Sequence, residues 1–208
     1  MSPTQTLTIS VRGASHTLEA RLARARPGAP LAVIAPPHPV YGGTIGNPVV
    51  RTLEHALAQQ GYTTLAFNFR GTGESTGEPS GDLDDAQADY LAAARAVSDA
   101  ELGLVAGYSF GAIAALDAAI TLSAPRTLMV APPLSLLDAS QLARLPGQLL
   151  VVLGDADEYA PLDEARPLFA TRPRTRLAVL EQVEHFFLGG AVPRLATSLT
   201  ALLGDAPG

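Results

Sequence analysis

The chain has no cysteine and no lysine. Without cysteine, disulfides, thiol nucleophiles and cysteine-ligated metals are excluded, and cysteine usage says nothing of the redox compartment. Without lysine, every one of the 14 side-chain cations is an arginine, and catalysis through a lysine Schiff base is excluded. Charge is sparse: 16% of residues are charged, the net charge is −6, and there is no basic block. That argues against a nucleic-acid partner, which needs a positive face. Long apolar runs are also missing. The longest, around 110–122, is interrupted by Asp117 and is too short to span a bilayer. The N-terminal Met-Ser-Pro-Thr-Gln-Thr has neither the charged start nor the apolar stretch of a signal peptide. These absences predict a cytoplasmic protein with no membrane partner.

What is present is a chain of 208 residues, 47% apolar, which fits a single domain over 1–208 with a substantial core. Leu7, Ile9 and Val11 alternate with polar residues as a one-faced strand does. Gly13 to His16 reads as a surface hairpin turn, and Leu18 to Leu22 as the returning strand. Leu31 to Ala35 is continuously apolar, as a central strand is. Asn47-Pro48 supplies a helix cap followed by proline at the first helical position. Val50, Leu53, Leu57 and Gln60 then mark a stripe that Gly61 closes. Thr63 to Phe67 is the next strand, and residues 70–82 form a polar, glycine-rich loop. Leu83, Ala86, Tyr90, Ala94 and Val97 mark a second helix. Further strands are expected at Thr127 to Ala131, Gln148 to Leu153 and Leu177 to Leu180, with helices at Asp163 to Ala170 and Pro193 to Leu203. Alternating strands and helices imply an α/β fold: a mostly parallel sheet of seven to eight strands with helices on both faces.

The most informative segment is Gly107-Tyr108-Ser109-Phe110-Gly111, a match to G-x-S-x-G. A short apolar run, Leu102 to Ala106, precedes it, and a helix-like run, Ala112 to Leu116, follows. A serine on a sharp strand-to-helix turn is a nucleophile elbow. The glycines are expected because the turn is tight and leaves no room for Cβ atoms.

A serine hydroxyl is a poor nucleophile at neutral pH and needs a base, itself oriented by an acid. With this elbow the partners follow in the chain order Ser, Asp or Glu, His. His16 lies in the expected turn, His38 after an early strand, and His55 on the exposed side of a helix; only His185 follows the serine. The acid is sought between them, where Gly154-Asp155-Ala156-Asp157-Glu158 follows a strand directly. Asp157, three residues beyond the glycine, is favoured over Asp155, then Glu158, with Asp138 a remote fourth. An oxyanion hole needs two backbone N–H groups. Phe110, directly after the serine, supplies one. The loop Ala35-Pro36-Pro37-His38-Pro39-Val40-Tyr41-Gly42-Gly43 supplies the other; Pro39 has no N–H, so Val40 is the candidate and Tyr41 the next. His38, Tyr41 and Tyr108 are candidates to line the substrate.

Two other segments invite chemistry and do not sustain it. Gly71-Thr72-Gly73 lacks the third glycine and the following helix of a nucleotide loop. Asp82, Asp84 and Asp85 lack the glycine and terminal glutamate of a calcium loop, and fit a helix N-terminus instead. No metal or other cofactor is called for.

Taken in order, Pro36 to Gly43, Asn68 to Ser75, Gly107 to Gly111, Gly154 to Asp157 and Glu184 to Phe187 resemble the α/β-hydrolase superfamily, and within it the small bacterial lidless hydrolases related to dienelactone hydrolase. Here Ser109 matches the nucleophile, Asp157 the acid and His185 the base. The superfamily often has His-Gly where this chain has His38-Pro39, and dienelactone hydrolase itself uses a cysteine, absent here. The resemblance implies a serine hydrolase of small soluble carboxylic esters acting through an acyl-enzyme. Its rivals are an amidase, peptidase or thioesterase with the same triad, and a binding protein without turnover. A histidine base works only when neutral, so hydrolysis is expected to fall in acid. Larger members carry a lid between the sixth and seventh strands; here that interval, Pro132 to Gly147, has room for one or two helical turns. A homodimer is compatible with the sequence, which carries no reading of oligomeric state.

Overall fold

The computed structural model describes residues 4–11 and 14–204. Strands β1 (Thr4–Ser10) and β2 (Thr17–Ala23) pair antiparallel, with Ile9 opposite Leu18. Alternation turns Leu18, Ala20 and Leu22 into the core. Gly13, the first residue of the expected turn, lies outside the described residues. His16 corrects the sequence reading: it is buried, and its Nε2 lies 2.9 Å from Oδ1 of the fully buried Asp89.

Strands β3 (Leu31–Ala35) and β4 (Thr63–Phe67) are buried at every position, which is why their runs do not alternate. Between them α1 (Pro48–Gln59) starts at Asn47, whose side chain accepts the Val49 N–H at 2.8 Å. Gln60, counted above with the apolar stripe, is instead the exposed cap residue. Helix α2 (Leu83–Arg95) is capped by Asp82, which accepts the N–H groups of Asp84 and Asp85. The three aspartates therefore serve the helix terminus, as expected. The remaining elements are β5 (Leu102–Tyr108), α3 (Phe110–Leu122), β6 (Arg126–Val130), α4 (Ala139–Arg144), β7 (Gln148–Gly154), α5 (Leu162–Ala170), β8 (Thr175–Leu180) and α6 (Ala191–Gly204). Helix α6 begins two residues before Pro193. A proline is tolerated there, because first-turn N–H groups have no intrahelical acceptor.

The eight strands form one sheet in the order β1-β2-β4-β3-β5-β6-β7-β8. β2 runs antiparallel to both neighbours, and β3 to β8 are parallel. One apolar layer gathers Phe67, Tyr90, Ile113, Leu116, Leu142 and Phe169, where α2 to α5 cover the sheet. The other gathers Val50, Leu53, Leu57, Leu195 and Leu199, where α1 and α6 do. Parallel strands bring the loops after β3, β5, β6, β7 and β8 to one edge, and the reversal of strand order around β3 opens a crevice there.

Among the described residues no lid rises over that edge. Between β6 and β7 the chain makes one turn of 3₁₀-helix at Leu134–Leu136 and then the six-residue α4. Leu142 and Leu145 are buried in the layer with α3, which ties this segment down onto the body of the protein.

Candidate active site

Ser109 sits between β5 and α3 with φ 55° and ψ −123°. A non-glycine residue there costs on the order of 1–3 kcal/mol and persists only when its surroundings impose it. The surroundings are tight. A Cβ on Gly107 would lie 1.9 Å from the Gly111 carbonyl oxygen, and one on Gly111 would lie 2.3 Å from that of Pro36. Both contacts are with backbone, so neither position tolerates a side chain. The Ser109 N–H is fixed by the Val130 carbonyl of the adjacent strand at 2.9 Å. The Ser109 hydroxyl lies 2.9 Å from His185 Nε2.

His185 follows β8, and its loop is bound to the acid loop by backbone. Asp155 N–H donates to Leu180, Ala156 N–H donates to Val183, and a Cβ on Gly154 would lie 2.0 Å from the Val183 oxygen. Gly154 is therefore what lets the two loops touch. His185 Nδ1 lies 2.9 Å from Asp157 Oδ2 and 3.0 Å from Oδ1. Asp157 Oδ1 also accepts the N–H groups of Tyr159 and Ala160, at 2.8 and 3.1 Å, so the carboxylate cannot swing away. With Nδ1–H donating to Asp157, Nε2 is left to accept from Ser109.

Asp157 is the one carboxylate of the four weighed that reaches His185. Asp155 is exposed and accepts the Gln182 N–H at 2.6 Å. Glu158 is exposed. Asp138 caps α4, where the backbone and hydroxyl of Ser140 donate to it and hold its carboxyl below the usual range.

The oxyanion candidates separate on their hydrogen bonds. Among the described residues, the N–H groups of Phe110 and Val40 have no acceptor, whereas that of Tyr41 donates to the His38 carbonyl at 3.2 Å. Val40, not Tyr41, keeps an N–H to offer. Rings hold this loop against the elbow: the His38 centroid is 4.6 Å from those of both Phe110 and Tyr41. Burial lowers the His38 pKa, which favours its neutral form.

Tyr108, expected to line the substrate, makes its polar contact inside the protein. It is buried, its ring meets Phe187 edge-on at 5.9 Å, and its hydroxyl donates to the His185 carbonyl at 2.9 Å. It braces the histidine loop from within the core. Burial raises its phenol pKa, with the fields of Asp157 and Glu184 adding to the effect, so it remains a donor. Sequence reasoning missed this brace and also Glu184, whose carboxylate accepts the N–H groups of Phe186 and Leu188 just after the histidine.

The sequence profile of the alpha/beta hydrolase family matches residues 27–206. The chain belongs to the alpha/beta hydrolase family. An uncharacterized protein of Rickettsia prowazekii is 30% identical over 195 residues, covering 86% of this chain and 81% of that one. A solved hydrolase of this family from Agrobacterium tumefaciens, of unknown function, is 30% identical with a TM-score of 0.82, over 96% of this chain and 94% of that one. A serine hydrolase without a lid from Xanthomonas campestris is 27% identical with a TM-score of 0.82, over 100% of this chain and 98% of that one. Among the described residues no group of three or more metal-ligating side chains occurs, and no helix is long and apolar enough to cross a membrane.

Proposed function

We propose that this hydrolase cleaves carboxylic esters of small soluble molecules, with Ser109 as nucleophile, His185 as base and Asp157 as the acid that orients it. The observation that carries the reading is the unbroken line of hydrogen bonds from Ser109 Oγ through both ring nitrogens of His185 to Asp157. Ser109 Oγ attacks the acyl carbon while its proton moves to His185 Nε2. The carbonyl oxygen becomes an oxyanion and accepts the N–H groups of Phe110 and Val40; one such donor is worth roughly 10²–10³ in rate. The C–O bond to the alcohol then breaks, and the proton on Nε2 passes to the departing oxygen. Water attacks the acyl-enzyme, gives its proton to His185, and the free acid leaves as Ser109 recovers its hydrogen. Asp157 keeps its charge throughout and fixes the tautomer.

The test is a fluorophosphonate probe together with a panel of esters, thioesters, amides and peptides. Fast labelling of Ser109 and ester turnover support the reading. Labelling with thioester or amide turnover alone would move the activity to those bonds. Neither labelling nor turnover would leave a binding protein.

A further inference from the structure

Among the described residues, the large apolar side chains that stand exposed are not scattered. Val40, Tyr41, Leu136, Tyr159, Phe186 and Leu188 all lie on the loops at the crevice edge of the sheet. Two of them, Tyr159 and Phe186, make a cluster with the base. The Tyr159 centroid is 4.5 Å from that of His185, the Phe186 centroid is 5.3 Å from it, and the two outer rings are 6.2 Å apart and nearly perpendicular. His185 is buried in this triangle, while Tyr159 is 46% and Phe186 56% exposed. These rings rest on fixed backbone. Tyr159 donates its N–H to Asp157 and accepts that of Leu134, and the Phe186 N–H is held by Glu184. An ordered aromatic face left to water is poised for a ring or other apolar group.

The chemistry proposed above decides which half of an ester meets that face. The acyl carbonyl oxygen turns to the N–H groups of Phe110 and Val40. The alcohol oxygen must lie at His185 Nε2 to receive its proton, so the alcohol half leaves past Tyr159 and Phe186. The two segments that carry the rings, 155–161 and 181–190, hold aspartates and glutamates and no arginine. The nearby cation is Arg166 of α5, which shares a pocket with Asp155, Glu158 and Asp163, so acidic side chains outnumber it there. An anionic alcohol half would be repelled. We infer that Tyr159 and Phe186 form a leaving-group subsite, and that the alcohol half of the substrate is an uncharged arylalkyl group.

The inference rests on the ester-hydrolase reading, and the experiment separates the two. kcat/KM is measured for phenethyl, cyclohexylethyl, ethyl and carboxyphenethyl acetates, whose alcohols are of similar acidity, so that leaving-group strength stays level. Aromatic pairing is worth about 0.5–1.5 kcal/mol beyond area, so phenethyl acetate should exceed cyclohexylethyl acetate by about 2–10-fold. Ethyl and carboxyphenethyl acetates should both fall below it. Tyr159→Leu and Phe186→Leu should each carry the phenethyl-to-cyclohexylethyl ratio toward one, and Tyr159→Phe should keep it. The ratio is the readout, because ring packing on His185 also bears on absolute rates. Hydrolysis of p-nitrophenyl acetate with no phenethyl preference, or a preference untouched in both leucine variants, overturns the subsite and leaves the esterase. Loss of all ester turnover and of probe labelling overturns both.

Discussion

Asp157 offers both carboxylate oxygens to His185 Nδ1, at 2.9 and 3.0 Å, and the nearer backbone amides hold one of those oxygens in place. That geometry says what Asp157→Asn would do. The N–H groups of Tyr159 and Ala160 require an oxygen at Oδ1, so the amide NH₂ must stand where Oδ2 was. It then competes for Nδ1 with the oxygen at Oδ1, 3.0 Å away; where the amide donates to Nδ1 the proton sits on Nε2, which can no longer accept from Ser109. The wrong tautomer should cost on the order of 10³–10⁴ in kcat. Asp155→Asn keeps an oxygen for Gln182 and should cost about tenfold or less. Steady-state kinetics of the two variants rank them, and the reverse ranking would move the acid to Asp155.

Ser109→Ala removes the hydroxyl and leaves the backbone, the helix and the 2.9 Å bond from its N–H to Val130 in place. Circular dichroism and melting temperature should stay near wild type, while hydrolysis of a p-nitrophenyl ester and fluorophosphonate labelling disappear. Wild-type turnover by the variant would mean that another group is the nucleophile.

Much of this site was legible because its parts are local. The elbow announces itself in five consecutive residues, since the Gly107 and Gly111 contacts with neighbouring backbone exclude any side chain. His185 followed from chain order alone. The central strands were plain from unbroken apolar runs, and Asn47 and Asp82 announced their helices through capping chemistry. What was not legible depends on residues far apart. His16 looked like a turn residue because its partner Asp89 lies 73 positions on. Tyr108 adjoins the nucleophile, so it suggested a substrate contact. Its hydroxyl instead meets a carbonyl 77 positions away. Val40 and Tyr41 could be told apart only once the 3₁₀ turn at Pro39–Tyr41 had engaged the Tyr41 N–H.

Asp89 joins the hairpin, the loop after β4 and α2. It takes His16 Nε2 at 2.9 Å, the Arg70 N–H at 2.9 Å and the Arg70 guanidinium at 2.8 Å. Asp89→Ala would leave those donors facing a cavity, a change of the kind that costs about 3–5 kcal/mol. Urea unfolding should show that loss. A variant within about 1 kcal/mol of wild type would show that water replaces the carboxylate.

Asp117 interrupts the apolar helix α3, and burial raises its carboxyl pKa, with the charges of Asp84 and Asp138 adding to the rise. Gln141 donates to it and Arg144 lies near, and both oppose the rise without cancelling it. An acid whose pKa is raised by folding carries no penalty when protonated in both states. The penalty grows as the pH climbs from the unfolded value, about 3.9, through the folded one. Asp117→Asn keeps an oxygen for Gln141 and cannot ionise. It should raise the melting temperature at pH 7, and the gain should vanish in acid below the unfolded pKa. A wild type more stable than the variant at pH 7 would mean that the charged bond to Gln141 outweighs burial.

The acyl half of the substrate should be short. The segment between β6 and β7 lies against the body through Leu142 and Leu145 and leaves Leu136 exposed at the rim, so nothing encloses a long chain. Each methylene that finds apolar cover contributes about 0.8 kcal/mol, or roughly fourfold in kcat/KM if realised fully in the transition state. Val40 and Tyr41 offer such cover near the oxyanion loop, and only for a few carbons. kcat/KM should therefore climb from acetyl to about butyryl or hexanoyl esters, each step adding at most roughly fourfold. Beyond that length further methylenes project into water, and the rate should level or fall. A p-nitrophenyl ester series from two to about sixteen acyl carbons, kept below micelle concentrations so that free monomer is what binds, measures this directly. A climb that continued to lauroyl or palmitoyl esters would require a deep acyl tunnel, and the open crevice would then be the wrong description of the site.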